Sequence, residues 1–456
     1  MEDNMKHITA IAFSVILICV SFLSVSAVDY NCNVDTVSKA VYLENLNNKT
    51  VVYEKNADQQ MYPASTTKIM TYIITAENVD DIDNTYVTVK EDVISGIDPE
   101  STLMGLSSHV GEKVSVKDLL YGLMLPSGND AALVLADYVG DGIPGFVEKM
   151  NAKANELGCK KTHFANPHGL YDTEHYSTAR DMALIAKYAM NMPKFMEICN
   201  TVYYTPKGFE ELHNTNYMLD PEKEGGQYYY EYTRGIKTGY LDQAGKCLVT
   251  SSDKSGDKYL CICLGADYSY DEDINYAMKD TANLYNWAYE NLGIQTVYGT
   301  TDSLDSVDVK YVRDGKTLNV VPEKAISAFL PKNYDKSKLK VETDCPEQVE
   351  APVKKGDVIG TVSVKYDDLD LGTVNLVSPE DVERDISPIE VFVKENPVVV
   401  IILTVVIVLI VILIIILIAA RSARKRRRAR EARARSRSGY NTRQRPRSSG
   451  GRRFRD

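Results

Sequence analysis

Val398–Ala420 is a run of 23 residues with no charge and one polar side chain, Thr404. A run of that length crosses the ~30 Å hydrocarbon core of a bilayer as a helix, and a soluble fold has few ways to bury it on every side. Directly after it, Arg421–Asp456 carries 16 Lys+Arg against Glu431 and Asp456, a local charge of +14. The whole chain is −11, so residues 1–420 carry −25. The arginine-rich side is expected in the cytoplasm, with the acidic bulk of the chain outside the cell membrane. Basic arms of this kind also bind nucleic acid. A topology signal that touches anionic lipid needs no further partner, so no nucleic-acid partner is expected.

At the other end, Ile8–Ala27 is apolar, follows Lys6 and closes on Val25-Ser26-Ala27. That pattern predicts a signal peptide over residues 1–27, with an uncleaved anchor as the alternative. Cys19 lies too early for a lipoprotein site. The seven cysteines beyond it are an odd number, so at least one is unpaired or bonded between chains, and no bridge is assigned. Cys261 and Cys263 share one face of a strand, which suits core packing.

The stretch with the most chemistry in it is Tyr62-Pro63-Ala64-Ser65-Thr66-Thr67-Lys68-Ile69-Met70-Thr71-Tyr72-Ile73-Ile74. Its dense apolar content and missing polar face predict a buried helix over 65–78. A spacing of three sets the Ser65 hydroxyl and the Lys68 amine on one helical face, about 5–6 Å apart at Cβ. Burial and the positive helix end both push that amine toward its neutral form. A neutral amine beside a serine can take its proton. Alone, S-x-x-K occurs in many helices whose lysine merely reaches for solvent.

Two further motifs give the pair its meaning. Ser127-Gly128-Asn129 follows the apolar run Leu119–Leu125, and Lys237-Thr238-Gly239 follows a tyrosine-rich stretch at 228–232. They stand 62 and 172 residues after Ser65, in the order of the penicillin-recognising serine enzymes. Pro63–Met70, Leu125–Ala132, Phe164–Leu170, Tyr176–Ala183 and Gly235–Gly245 resemble blocks of the low-molecular-mass penicillin-binding proteins, the serine-type D-alanyl-D-alanine carboxypeptidases. The resemblance runs over roughly residues 35–385.

It implies a hydrolase that removes the terminal D-alanine of peptidoglycan stem peptides ending in D-Ala-D-Ala, through an acyl-enzyme that β-lactams also form. Ser65 would be the nucleophile, Lys68 its general base and Ser127 the proton relay to the leaving amine. Asn129 would hold the substrate amide or orient Lys68, and Lys237 and Thr238 would take the terminal carboxylate. The backbone amides of Ser65 and Tyr240 would hold the oxyanion. At Gly239 a side chain would block backbone approach to the substrate. Asn166–Leu170 would shape a loop near the cleft, with His168 a hydrogen-bonded structural residue, and Asn214 and Asn216 would line the cleft. No cofactor and no metal are expected.

The hydrophobic pattern supports an α/β (α+β) class, and the resemblance implies a β-lactamase/transpeptidase-like catalytic domain over 35–292. Ala40–Leu46 and Thr50–Lys55 read as a hairpin through Asn47-Asn48. Val116–Leu125, Asn129–Tyr138, Gly145–Leu157, Thr178–Met190 and Ile274–Leu292 read as helices. Gly235–Thr238, Lys246–Ser251 and Lys258–Ala266 read as antiparallel strands, so a sheet is flanked by helices. Over 293–390 short alternating strands (Val307–Val312, Thr317–Val321, Leu339–Glu342, Val358–Tyr366) predict a small all-β domain. The transmembrane helix at 398–420 and the cytoplasmic tail at 421–456 complete the order.

Rival readings are weaker. A zinc peptidase could use His163, His168, Asp172 and His175, but no H-E-x-x-H is present. A class A β-lactamase needs a catalytic glutamate between the second and third motifs, and none matches. A D,D-endopeptidase, or a membrane-tethered β-lactam sensor that does not turn over, remains the alternative function.

Overall fold

The computed structural model describes residues 30–98, 101–269 and 274–440. The expected signal peptide and the end of the tail, 441–456, lie outside the described residues.

β1 (Ala40–Asn45) and β2 (Thr50–Lys55) pair antiparallel. Asn45 Oδ1 closes the turn between them by accepting the Asn47 and Asn48 amides at 3.1 and 3.0 Å, the local bonding that suits Asn to turns. A 3₁₀ turn, Ala64–Thr67, then leads into α1 (Lys68–Asn78). Every residue of α1 from Lys68 to Thr75 is buried, as its missing polar face requires. The first turn is tighter than the α-helix expected from Ser65, because Ala64 at φ +48° bends the chain sharply just before it.

Around α1 stand α2 (Val116–Met124), α3 (Asn129–Gly140), α4 (Ile143–Glu156), α5 (Ala179–Ala189) and α6 (Phe195–Asn200). α2 and α5 are capped by Ser115 and Thr178, which accept the Asp118 and Asp181 amides at 3.0 Å; such caps contribute about 1 kcal/mol each. β3 (Thr233–Leu241), β4 (Gly245–Lys254) and β5 (Asp257–Ala266) follow, then α7 (Tyr276–Asn291). The five strands order as β2-β1-β5-β4-β3, all neighbours antiparallel. β3 is thus an edge strand, and it lies against the Ala64–Thr67 turn. Inside, Tyr72 meets Phe195 edge-on at 4.8 Å, and the Tyr285 hydroxyl reaches Thr250 O at 2.8 Å. Cys261 and Cys263 are fully buried with sulfurs 3.8 Å apart, as thiols.

Beyond α7 the described chain is strand-rich. β6 (Leu292–Tyr298), β7 (Asp305–Lys310), β8 (Lys316–Pro322), β9 (Ile326–Pro331), β10 (Leu339–Asp344), β11 (Gln348–Glu350), β12 (Val358–Tyr366) and β13 (Leu369–Val377) follow in turn. β6 pairs with β9, and the rest order as β10-β12-β13-β8-β7-β11. This is the expected all-β domain. Sequence reading missed β6, β9 and β13, because Gly293, Pro331 and Gly372 inside or at their ends read as punctuation, and β11, which is only three residues long. By compactness the described residues up to Gly299, with Lys324–Glu342 and Ser363–Val374, form one unit. Thr300–Glu323, Thr343–Val362 and the described residues from Asn375 form the other.

α8 (Pro388–Glu395) opens with a capping box between Ser387 and Glu390. α9 (Pro397–Tyr440) is a single helix long and apolar enough to cross a membrane, and its apolar window is 0% buried. Soluble proteins do not leave a patch of that size in water.

Candidate active site

The Lys68 amine is the hub of the site. Fully buried at the first residue of α1, it sits 3.0 Å from Ser65 Oγ, 2.7 Å from Asn129 Oδ1 and 2.8 Å from the His168 carbonyl. Burial holds its pKa well below the ordinary lysine value, and the nearby Lys237 charge pushes the same way, against an opposing pull from Asp130. A neutral amine has two N–H groups and one lone pair. The two carbonyl oxygens can only accept, so they take both N–H groups. The lone pair is left facing the Ser65 hydroxyl, which is the arrangement a general base needs.

Three elements supply these partners. Asn129 begins α3, and its amide is tied to the Thr102 carbonyl at 2.8 Å. The neighbouring Asp130 carboxylate gathers the amides of Met104, Gly105 and Leu106 at 2.9–3.0 Å, which folds the 102–106 segment against this helix start. The Asn166–Leu170 loop is pinned by its own asparagine: Asn166 Oδ1 accepts the Gly169 amide at 2.7 Å and Nδ2 donates to Leu170 O at 3.0 Å. Gly169, at φ +87°, lies so close to the Ala64–Thr67 turn that a Cβ there would stand 2.0 Å from Ala64 O. The sequence placed this loop near the cleft but gave no hint that its His168 carbonyl would hold the Lys68 amine.

Ser127 sits at φ +67° just before α3, with its hydroxyl buried and without a hydrogen-bond partner among the described residues. Its carbonyl accepts from Thr102 Oγ1 at 2.8 Å. From the other side β3 brings Lys237, Thr238, Gly239 and Tyr240. The Lys237 amine is 1% exposed and donates to Thr238 O at 3.1 Å, and burial lowers its pKa to about 7. Thr238 Oγ1 lies 2.5 Å from Thr215 Oγ1. A Cβ on Gly239 would stand 3.0 Å from Ser65 N and from Ala64 Cβ, so the obstruction expected toward substrate is met first by the Ala64–Thr67 turn itself. The Tyr240 hydroxyl donates to Asp242 at 2.8 Å, and Lys246 lies 4.1 Å from its ring centre.

Asn214 and Asn216 spend their amides on backbone: Asn214 donates to Cys199 O and Thr201 O, and Asn216 to Gly235 O. Thr215 between them is the residue that meets the site. The histidines of the rival reading are structural. His163 Nδ1 donates to Glu174 O, and His168 Nδ1 accepts the Leu170 amide. His175 accepts the Ala165 amide and donates to Thr67 Oγ1. Burial lowers His168 to about 3 and His175 to about 4, so both are neutral. Among the described residues no group of three or more His, Cys, Asp or Glu is placed to hold a metal ion.

Residues 28–268 match the family described as D-alanyl-D-alanine carboxypeptidase, and residues 295–384 the one described as penicillin-binding protein 5, C-terminal domain. The chain belongs to the D-alanyl-D-alanine carboxypeptidase family. The carboxypeptidase DacF of Bacillus subtilis is 30% identical over 342 residues, 73% of this chain and 83% of that one. DacA of Haemophilus influenzae is 30% identical over 389 residues, 83% of this chain and 94% of that one. The crystal structure of penicillin-binding protein 5 from Haemophilus influenzae superposes with a TM-score of 0.56 at 28% identity, over 77% of this chain and 99% of its own. The protein is a low-molecular-mass penicillin-binding protein and a serine D-Ala-D-Ala carboxypeptidase.

Proposed function

We propose that Ser65 and Lys68 carry out the cleavage at the outer face of a cell membrane, on peptidoglycan stem peptides ending in D-Ala-D-Ala. The observation that carries this is the Lys68 amine, held by two acceptors with its lone pair toward Ser65 Oγ. Lys68 takes the Ser65 proton as Oγ attacks the carbonyl of the penultimate D-alanine. The backbone amides of Ser65 and Tyr240 receive the oxyanion. Collapse breaks the peptide bond, and the proton passes through the Ser127 hydroxyl to the leaving nitrogen of D-alanine. Water, deprotonated by Lys68, then attacks the ester, restores Ser65 and leaves the shortened stem peptide as a carboxylate.

Asn129 holds Lys68 with Oδ1 and keeps Nδ2 for a substrate carbonyl. Lys237 and Thr238 receive the terminal carboxylate; a substrate anion beside Lys237 restores the charge that burial opposes. β-Lactams enter by the same attack and stop at the acyl-enzyme. The +14 tail supports a cytoplasmic C-terminus, with the catalytic domain on the far side of α9. The test is covalent labelling of the full-length protein in detergent by a fluorescent penicillin, followed by product analysis with a D-Ala-D-Ala pentapeptide. Labelling and D-alanine release should both vanish in Ser65→Ala and slow by about 10²-fold or more in Ser127→Ala. Unchanged labelling of Ser65→Ala removes the assignment.

A further inference from the structure

α9 does not stop where its apolar run ends. It continues as one helix through Arg421–Arg435, and every residue of that stretch is exposed. No Pro or Gly stands between Val398 and Ser438, so nothing in the sequence kinks it. Nine of the fifteen residues from Arg421 to Arg435 are Lys or Arg, and the one acid, Glu431, lies 3.1 Å from Arg427 Nε. The cations fall on every side: at 3.6 residues per turn, Arg421, Arg427 and Arg433 alone divide the circumference into thirds. The choice of cation is also particular. Residues 421–456 use 15 Arg and one Lys, whereas residues 1–420 use four Arg and 32 Lys. A topology signal counts the two alike. A guanidinium differs in presenting a planar fork that takes a phosphate through two parallel N–H bonds, which an ammonium cannot do.

We propose that this arginine helix binds nucleic acid in the cytoplasm, through its phosphates. The sign of the charge alone asks for no such partner; the identity and placement of the cations do. Anionic lipid accounts for the first turns only. Arg435 stands about 21 Å along the axis from Arg421, more than two Debye lengths of about 8 Å at physiological salt. The stretch also cannot lie down on a bilayer by an apolar face, because its apolar residues are four alanines, Ala423, Ala429, Ala432 and Ala434. A flat surface, lipid or protein, meets one side of a helix and leaves the other cations unused. A nucleic-acid duplex meets more than one. The major groove of B-form DNA, about 12 Å wide, admits a helix about 10–12 Å across and sets a row of phosphates on either flank. The inference rests on the proposed topology in placing the tail on the cytoplasmic side, where nucleic acid is.

The test is fluorescence anisotropy of short labelled DNA and RNA duplexes against the full-length protein in nanodiscs, one set of neutral lipid and one containing anionic lipid. Duplex should bind in both sets, and affinity should fall about 10³-fold or more between 50 and 200 mM salt, as six or more phosphate contacts require. The tighter of the two duplexes names the source. Replacing Arg430, Arg433 and Arg435 together by Gln removes only cations far from the bilayer. That variant should bind at least about tenfold more weakly, with a salt slope smaller by about three. Its penicillin labelling should be unchanged, which shows that the rest of the chain folds. No binding in neutral discs, or binding that the triple variant does not move, overturns the proposal. Loss of binding when anionic lipid is added overturns it too, because the tail then belongs to the bilayer. Equal affinity for polyglutamate of matched charge overturns the part assigned to phosphate. A nanodisc leaves both faces of the bilayer open, so binding is read whichever way the chain is threaded. Its failure is thus distinct from failure of the topology, which would show as a catalytic domain protected from protease added to intact cells.

Discussion

Thr215 Oγ1 and Thr238 Oγ1 lie 2.5 Å apart, so the hydroxyl assigned to the substrate carboxylate is itself held by a second hydroxyl. Thr215 is fixed in turn, because its amide donates to Leu125 O at 3.1 Å, just ahead of Ser127. Asn214 and Asn216 on either side tie the same segment to Thr201 and to Gly235. The third motif and the second are therefore connected through one threonine.

Thr215→Val keeps the shape and removes that hydroxyl. A hydrogen bond serving a charged group is worth about 1.5–3 kcal/mol, so kcat/KM for a D-Ala-D-Ala peptide should fall about tenfold or more, mainly through KM. Thr215→Ser should restore most of it. Steady-state kinetics decide; a valine variant with parental KM leaves Thr215 a packing residue only.

The Ala64–Thr67 turn depends on a close approach that a matched pair of glycines can isolate. Gly169 and Gly158 have nearly the same φ, +87° and +84°. A Cβ on Gly158 meets nothing within 4 Å, whereas one on Gly169 would stand 2.0 Å from Ala64 O. Gly158→Ala should cost about 1 kcal/mol of backbone strain and leave acylation intact. Gly169→Ala should cost clearly more in thermal stability and lose acylation, because the Ser65 turn or the His168 carbonyl must move. Equal losses for the two would mean that the contact does not matter.

Much of this was legible because the chemistry clusters in short motifs whose spacing survives folding. Ser65 and Lys68 meet as helical spacing requires, and α1 is buried as its apolar run predicts. The carbonyl of His168, the Thr215 hydroxyl and the anchoring of the 102–106 segment by Asp130 were not legible. A backbone carbonyl carries no side-chain signature, and Thr215 reaches Thr238 only through tertiary packing. The strands β6 and β13 were hidden for a related reason: Gly293 and Gly372 read locally as stops, and pairing overrode them.

Topology can be checked from the charge pattern. With α9 spanning the membrane and its arginines inside, protease added to intact cells should digest the catalytic domain. It should leave a small fragment that includes residues 421–456. A chain ended after Glu395 should be released from the membrane, because the 23-residue apolar run is gone. Retention of that shortened chain would show that another segment anchors it.

The proposed mechanism requires a neutral Lys68 amine. At the ordinary value near 10.4, only about one lysine in a few thousand would be neutral at pH 7. Burial, and then Lys237, hold Lys68 well below that. The penicillin acylation rate should therefore rise with pH through a group titrating well under 10.4, then level off. Lys68→Arg keeps the charge and removes the base, and should lose acylation with the fold intact. Near-normal acylation by that variant would place the base elsewhere.

Lys237 sets function against stability. Its folded pKa of about 7 lies below the unfolded value near 10.4. Between those values the unfolded chain binds more protons, so stability rises with pH. The cost of burying the amine is full below about pH 7 and gone above about 10.4. Lys237→Met, similar in volume and uncharged, should therefore raise Tm at pH 7, by roughly 2–4 °C for each kcal/mol relieved. That advantage should shrink as pH approaches 10. The same variant should bind D-Ala-D-Ala peptide more than tenfold worse, because the carboxylate loses its counter-charge. Scanning calorimetry at pH 7 and pH 10, alongside KM, tests both halves. A methionine variant less stable than its parent at pH 7 would mean that the buried amine is held by more than the Thr238 carbonyl.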